Sequence, residues 1–491
     1  MNKSLLALPA LLAMAIRAHL HAQTFTQIGA DIDGEAAYDG SGGIVSYSAD
    51  GMRLAIGAGS NSGNGIAAGH VRVYEDIGGI WTQVGADIDG EAAGDAAGIA
   101  SLSADGTRVA IGAPRNNNAN GTDAGHVRVF DEIGGVWTQV GADIDGEGTT
   151  DWCGQGTSLS ADGMRVALGA QLNDGSGSQA GHVRVFTDSA GVWVQVGADI
   201  KGGAPNATMG RKVVLSADGQ RVATDVSGGV RVFGEVGGIW SQIGSDLQPE
   251  GIYDDFGFAI SLSANGTRMA IGGSFNDGNG IDAGHVRVFD ESGGVWTQVG
   301  ADIDGPVDSA WFGRSVALLA DGSRVAIGAT HKPSDTTQNG EVSVYTEVNG
   351  AWVQTGPIIF GEAPNDYCGS AIALNTAGDR LAIGAQWNDG NGSNAGHVRV
   401  YALDFGNEVL ENANPQYFQL MPMPAGGTLH VQVEVNTEIH LFDLTGARVF
   451  TQRLSAGRTA IDVTSLARGA YVAELRTSNG APSRFAKVIL E

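Results

Sequence analysis

AGHVRVFDEIGGVWTQVGADIDG, residues 124–146, recurs almost letter for letter at 68–90, 180–202 and 283–305. A second block, SLSADGTRVAIGA at 101–113, lies between successive copies. Together they make one unit of about 56 residues, and a repeat of that length outranks any single motif, because it fixes the architecture first. An aromatic-x-Gln strand opens at Phe25, Trp81, Trp137, Trp193, Trp240, Trp296 and Trp352. A Gly-His-Val-Arg-Val-type strand begins at His70, His126, His182, Gly229, His285, Glu341 and His397. Both counts give seven units.

Each unit holds four stretches of β-branched and apolar alternation bounded by Gly, Asn and Asp. In the second unit these are 98–103, 108–113, 126–131 and 136–144. Asp-Gly joins the first pair and Gly134-Gly135 the last, both hairpin signals. The repeat region starts with a lone fourth-type strand at 25–32 and ends with a third-type strand at 397–401. The first strand can therefore complete the last unit, which closes a ring and removes the exposed edges. The expected fold is all-β: a seven-bladed β-propeller over 23–403, a linker over 404–418 and a small β-sandwich over 419–491.

The chain of 491 residues carries 77 glycines, 28 Lys plus Arg and a net charge of −26. So few cations argue against nucleic acid, which needs clustered Lys and Arg. Residues 1–22 have Lys3, an apolar run and a small-residue end at Ala22, the pattern of a signal peptide. No later stretch has the apolar length of a membrane span.

The order Phe256-Gly257, apolar strand, Gly-Ala, Gly-x-Val-x-Val resembles FG-GAP repeats, the blades of the integrin α-subunit head and of many bacterial surface proteins. Integrin-type repeats often hold calcium between their first two strands; here that connection is only Ser-Ala-Asp-Gly, too short to chelate. The last residues resemble the C-terminal sorting domain of the type IX secretion system. The residues that carry this are Met421-Pro-Met-Pro-Ala425, Leu441-Phe-Asp-Leu-Thr-Gly446, Leu466-Ala-Arg-Gly-Ala-Tyr471 and Lys487-Val-Ile-Leu490. The resemblance implies export by the type IX machinery, through 419–491, to the outside of the cell or its outer surface.

The candidate chemistry repeats too. Counting outward from the hairpin turn pairs His70 with Asp87, His126 with Asp143, His182 with Asp199, His285 with Asp302 and His397 with Asp31. A catalytic site needs one such pair, so five copies point to structure. Cys153 and Cys368 occupy equivalent slots on opposite sides of the ring, too far apart for a disulfide. Asn276-Asp277-Gly-Asn279-Gly-Ile-Asp282 carries oxygen ligands at alternating positions, so Asn276, Asp277, Asn279 and Asp282 are candidate calcium ligands against a plain turn-rich loop. No other cofactor is indicated.

Asp39, Asp95, Asp151, Asp254, Asp308 and Asp366 precede first strands and would make that face acidic. The fourth unit's short connection at 224–229 leaves a notch where a binding groove is expected. No nucleophile elbow, His-Glu-x-x-His or phosphate loop is present. The sequence thus predicts a secreted or surface binding and adhesion protein, not an enzyme, presenting an acidic loop face to a protein or glycan. The alternatives are a propeller lyase or glycosidase, whose nearest candidate cluster is His331-Lys332-Pro-Ser-Asp335, and a structural surface-layer component.

Overall fold

The repeat block folds as its residues alternate. In the second unit, Ile99–Leu102, Arg108–Ala113, His126–Ile133 and Val136–Gln139 form one antiparallel sheet in that order. The computed structural model describes residues 23–331, 339–405, 418–421, 428–433, 436–442, 448–477 and 484–490. The signal-peptide stretch 1–22, the sixth-unit residues 332–335, and the sorting-domain residues 422–425 and 443–446 lie outside these. Seven such sheets follow one another in Gln23–Phe405, and their first strands pack against each other around a central channel. This is a seven-bladed β-propeller.

Local chemistry accounts for the blade. The Asp-Gly turn is closed by Asp105, whose Oδ1 accepts from Ser103 Oγ at 2.6 Å and from Thr107 N at 3.0 Å. The strand after it, Arg108–Ala113, is buried on both faces from its second residue on. That is why it reads as an unbroken apolar run rather than an alternation. Gly112 is required there: a Cβ would collide with the Gly154 carbonyl oxygen on the next blade.

The outer strand departs from simple counting. Phe130 pairs with Gln139, but Val127 pairs with Ile144, so three steps on one strand match five on the other. The two extra residues form a bulge. Gln139 Nε2 donates to Asp143 Oδ1 at 2.7 Å and closes it. The bulge carbonyl of Val140 then accepts from Trp193 Nε1 on the next blade at 2.9 Å. The repeated tryptophans are therefore blade-to-blade ties, and the bond recurs at Trp81, Trp137, Trp240, Trp296 and Trp352.

The arginines after the turns tie the same joints. Arg108 forms a two-point ion pair with Asp131 on its own blade, at 2.5 and 2.8 Å. It also donates to the Gly163 carbonyl at 3.1 Å and to Asp188 at 3.0 Å on the next blade. Closure uses both devices. Thr24–Gln27 pairs with His397–Asp404 as the fourth strand of the last blade. Arg380 donates to the Gly51 carbonyl at 3.2 Å and to Asp76 at 2.7 Å on the first.

The described residues beyond 405 form a second unit. Its sheets are three-stranded (Phe418–Met421, Thr428–Val433, Gly457–Asp462) and four-stranded (Arg448–Leu454, Thr437–Phe442, Gly469–Thr477, Arg484–Leu490). Leu429, Val431, Ile461, Ile439, Leu441 and Ala473 share one core, so the two sheets make a β-sandwich. Among the described residues no helix is long and apolar enough to cross a membrane.

Candidate ligand site at the channel mouth

The repeated histidines sit between blades. His126 is opposed in the backbone to Asp145 rather than Asp143, because the bulge moves the register by two. The Asp143 carboxylate turns back to within 3.6 Å of His126 Nδ1. The corresponding separations are 3.5 Å for His70–Asp87, 3.4 Å for His285–Asp302 and 3.5 Å for His397–Asp31. A glutamate joins each group, as Glu147 does for His182 and Asp199. Such a His–Asp–Glu set is chemically able to hold a divalent cation. In all five, however, an arginine reaches the same glutamate: Arg72, Arg128, Arg184 and Arg399 at 3.5 to 3.6 Å, and Arg287 at 4.0 Å. That fixed charge already compensates the carboxylates and would repel a cation. Burial, aided by the neighbouring arginine, pushes His126 and His182 down to about 4, so these imidazoles are neutral at pH 7.

The variable loops close on themselves. Asn276 Nδ2 donates to Asp254 Oδ2 at 3.1 Å, while its Oδ1 accepts from Gly278 N at 2.8 Å. Asp277 Oδ1 accepts from Asp282 N at 2.8 Å, and Asn279 Nδ2 donates to the Gly305 carbonyl at 2.8 Å. Two of the oxygens proposed as calcium ligands are thus already accepting backbone N–H groups. Cys153 and Cys368 are free and buried, and burial raises both thiols to about 11.

The acidic-face expectation needs correction. Asp39, Asp95, Asp151, Asp254 and Asp366 are buried, not presented to solvent. Asp95 Oδ2 accepts from Glu91 N, Ala92 N and Asn116 Nδ2, each at 3.0 Å. The carboxylate is there to satisfy loop N–H groups. Asp308 is exposed, and the buried slot of its unit belongs to Ala310.

The copies differ at the mouth of the channel. The residue after the aspartate slot has a left-handed backbone in every unit: Gly40, Ala96, Trp152, Thr208, Asp255, Trp311 and Tyr367, with φ from 46 to 63°. Three residues further stand Gly43, Ile99, Gln155, Arg211, Phe258, Arg314 and Ser370. Large aromatic and cationic residues thus gather on the third to seventh blades. Phe275, His331 and Trp387 follow the second strands of their blades, pinned by N–H bonds to the carbonyls of Asp254, Ala310 and Asp366.

The rings form a continuous arc. Centroid separations are 5.4 Å for Phe275–Trp311, 3.9 Å for Trp311–His331, 4.7 Å for His331–Tyr367 and 4.3 Å for Tyr367–Trp387. Tyr367 Oη lies 3.3 Å from His331 Nε2. Burial and the charge of Arg314 lower the His331 pKa.

Beside the arc, Phe258 lies under three cations: Arg314 at 3.6 Å, Arg211 at 4.9 Å and Lys212 Nζ at 5.5 Å from its centroid. Arg211 pairs with Asp225 at 3.1 Å and Asp255 at 3.3 Å, and Arg314 with Asp255 at 3.5 Å. Asp225 stands where the other blades have the inner glycine of Ile-Gly-Ala. The cavity between arc and cations is about 530 Å³, lined by Lys212, Phe258, Trp311, Arg314, Tyr367 and Trp387 among others. A separate hollow of about 390 Å³, lined by Thr208, Arg211, Asp225 and Gly228, lies at the short fourth unit where the notch was expected.

Sequence reasoning missed this constellation because it counted only the tryptophans of the aromatic-x-Gln slot. Trp152, Trp311 and Trp387 are not in the aromatic-x-Gln slot, and comparing them slot by slot would have set them apart.

Residues 419–491 match the family described as the secretion system C-terminal sorting domain. The chain is thus exported by the type IX system to the cell surface or extracellular space. No curated protein matches. Similar solved structures include a putative 6-phosphogluconolactonase from Bacteroides uniformis (13% identity, TM-score 0.47, covering 66% of this chain and 86% of that one). Others are the periplasmic gluconolactonase of Pseudomonas aeruginosa (19%, 0.45, 65% and 88%) and hydrazine synthase of Kuenenia stuttgartiensis (13%, 0.44, 73% and 94%). Two of the three are named lactonases, and the expectation that this chain is not an enzyme is withdrawn. At such identities no substrate or reaction passes to this chain.

Proposed function

We propose that this exported propeller binds a saccharide at the channel mouth and serves as a binding and adhesion protein outside the cell. The observation that carries the reading is the aromatic arc from Phe275 to Trp387, built only where the repeats diverge. Trp387 is 45% exposed although an apolar ring gains by burial. Rings edging a concave cavity suit the apolar faces of sugars, with polar groups beside them to fix orientation. A cavity of about 530 Å³ is of ligand-pocket size, whereas a stable protein interface needs a patch of about 800 Å² per partner. The likeness of the blades to FG-GAP repeats belongs to the same proposal.

Titration of the full chain with neutral oligosaccharides should quench tryptophan fluorescence, and Trp387→Ala should weaken binding about tenfold while leaving the thermal midpoint unchanged. No quenching by any saccharide would leave the surface-layer alternative. One observation favours a second reading, chemistry on the bound sugar: Tyr367 Oη lies within hydrogen-bond reach of His331 Nε2, a pairing of the kind acid–base catalysis uses. Size exclusion of the glycan after incubation separates binding from cleavage.

A further inference from the structure

Lysine is scarce in this chain: Lys3, Lys201, Lys212, Lys332 and Lys487 are all there are in 491 residues. Lys212 lines the channel-mouth cavity, in a slot held by Ile44, Ala100, Gly156, Ala259, Ser315 and Ala371 in the other blades. It arrives together with Arg211 in the preceding slot and Asp225 in place of the inner glycine.

The local charges do not balance. Arg211 takes Asp225 and shares Asp255 with Arg314. Both carboxylates are thereby used, and Asp225 also accepts the Lys212 backbone N–H at 2.8 Å. The Lys212 ammonium has no hydrogen-bond or ion-pair partner among the described residues. Three cations against two carboxylates leave one positive charge facing the cavity, in a chain whose net charge is −26. A half-buried cation without a counter-ion is costly, and burial lowers its pKa. The Arg314 guanidinium carbon lies 3.6 Å from the Phe258 centroid, and its ion-pair contact to Asp255 is long at 3.5 Å. An anion in the cavity would relieve Lys212 and complete the donors of Arg314.

Resting on the saccharide reading above, we propose that the ligand is an acidic saccharide: a uronate-bearing glycan whose carboxylate is held by Lys212 and Arg314 while its ring stacks on the arc at Trp387. The cavity then discriminates by charge on one wall and by ring contact on the other.

The test uses the full chain and three soluble polymers: polygalacturonate, neutral dextran and dextran sulfate. Binding is measured by calorimetry at low and at physiological salt. Polygalacturonate should bind at least about tenfold more tightly than dextran, with an affinity that falls as salt rises. Lys212→Met should remove most of that preference and Lys212→Arg should retain it. Lys212→Met should also raise the thermal midpoint of the free protein, because it deletes an uncompensated charge, so a folding failure is recognised at once. Equal affinity for dextran and polygalacturonate overturns the acidic-ligand inference and leaves the saccharide reading standing. Preference for dextran sulfate alone overturns the carboxylate assignment. Binding of none of the polymers overturns both.

Discussion

At the scale of single residues, the repeat is held by glycines chosen for space as much as for backbone conformation. Gly384 has ordinary backbone geometry, yet a Cβ there would run into the carbonyl oxygen of Gly42 on the first blade. Gly79 has φ of +88° and open space around it. The two test different physics. Gly384→Ala forces backbone apart at the ring joint and should cost about 2–3 kcal/mol. Gly79→Ala costs only the left-handed strain of about 1 kcal/mol. Urea unfolding of both variants measures the difference, and equal costs would remove the close-packing account. Lys212 and Trp387 belong to this scale too, since neither is part of the repeat and each is explained by what it faces.

At the scale of elements, the hairpin at 126–139 does three jobs. It completes its own blade, its bulge accepts the next blade's tryptophan, and its first residues meet the following connection. The strand Thr24–Gln27 is the exception in chain order, because it pairs with Tyr401–Asp404 across the whole repeat. Phe25 also meets Phe405 edge-on at 5.5 Å. Removing 23–33 should expose an unpaired edge on His397–Asp404 and leave the last blade three-stranded. The expected result is a lower thermal midpoint, early proteolytic loss of the seventh blade and self-association on size exclusion. A monodisperse variant with an unchanged midpoint would show that the ring does not depend on this strand.

At the scale of the whole molecule, five buried neutral histidines couple stability to pH. Burial, with Arg128 beside it, holds His126 down to about 4, and His182 likewise; His70, His285 and His397 are lowered for the same reason. Their folded pKa values lie below the unfolded one, near 6.5, so the unfolded chain takes up protons first as pH falls. Each such histidine removes about 1.4 kcal/mol of stability per pH unit within its window. Glu91 and Asp145, raised mainly by burial, act in the opposite sense nearer their own range. The net loss should therefore be steepest between about pH 6.5 and 5. Thermal midpoints across that range should fall with falling pH, and a flat profile would mean that the histidines are already solvated.

The sequence determined the architecture because the repeat says it seven times over: alternation gives strands, Asp-Gly gives turns, and the lone first strand gives closure. It also carried the destination, since the sorting-domain motifs are local. Counting along the hairpin brought His126 to Asp143, but the two-residue bulge that sets the true register is invisible to alternation, which has no term for residues outside the ladder. The loop aspartates read as an acidic face, and only packing turned them inward to cap N–H groups. The mouth was hidden for a related reason. Phe275, Trp311, His331, Tyr367 and Trp387 come from three blades and lie up to 112 residues apart (387 − 275). Their adjacency, and the lysine left beside them without an ion-pair partner among the described residues, exist only once the ring has closed around the channel.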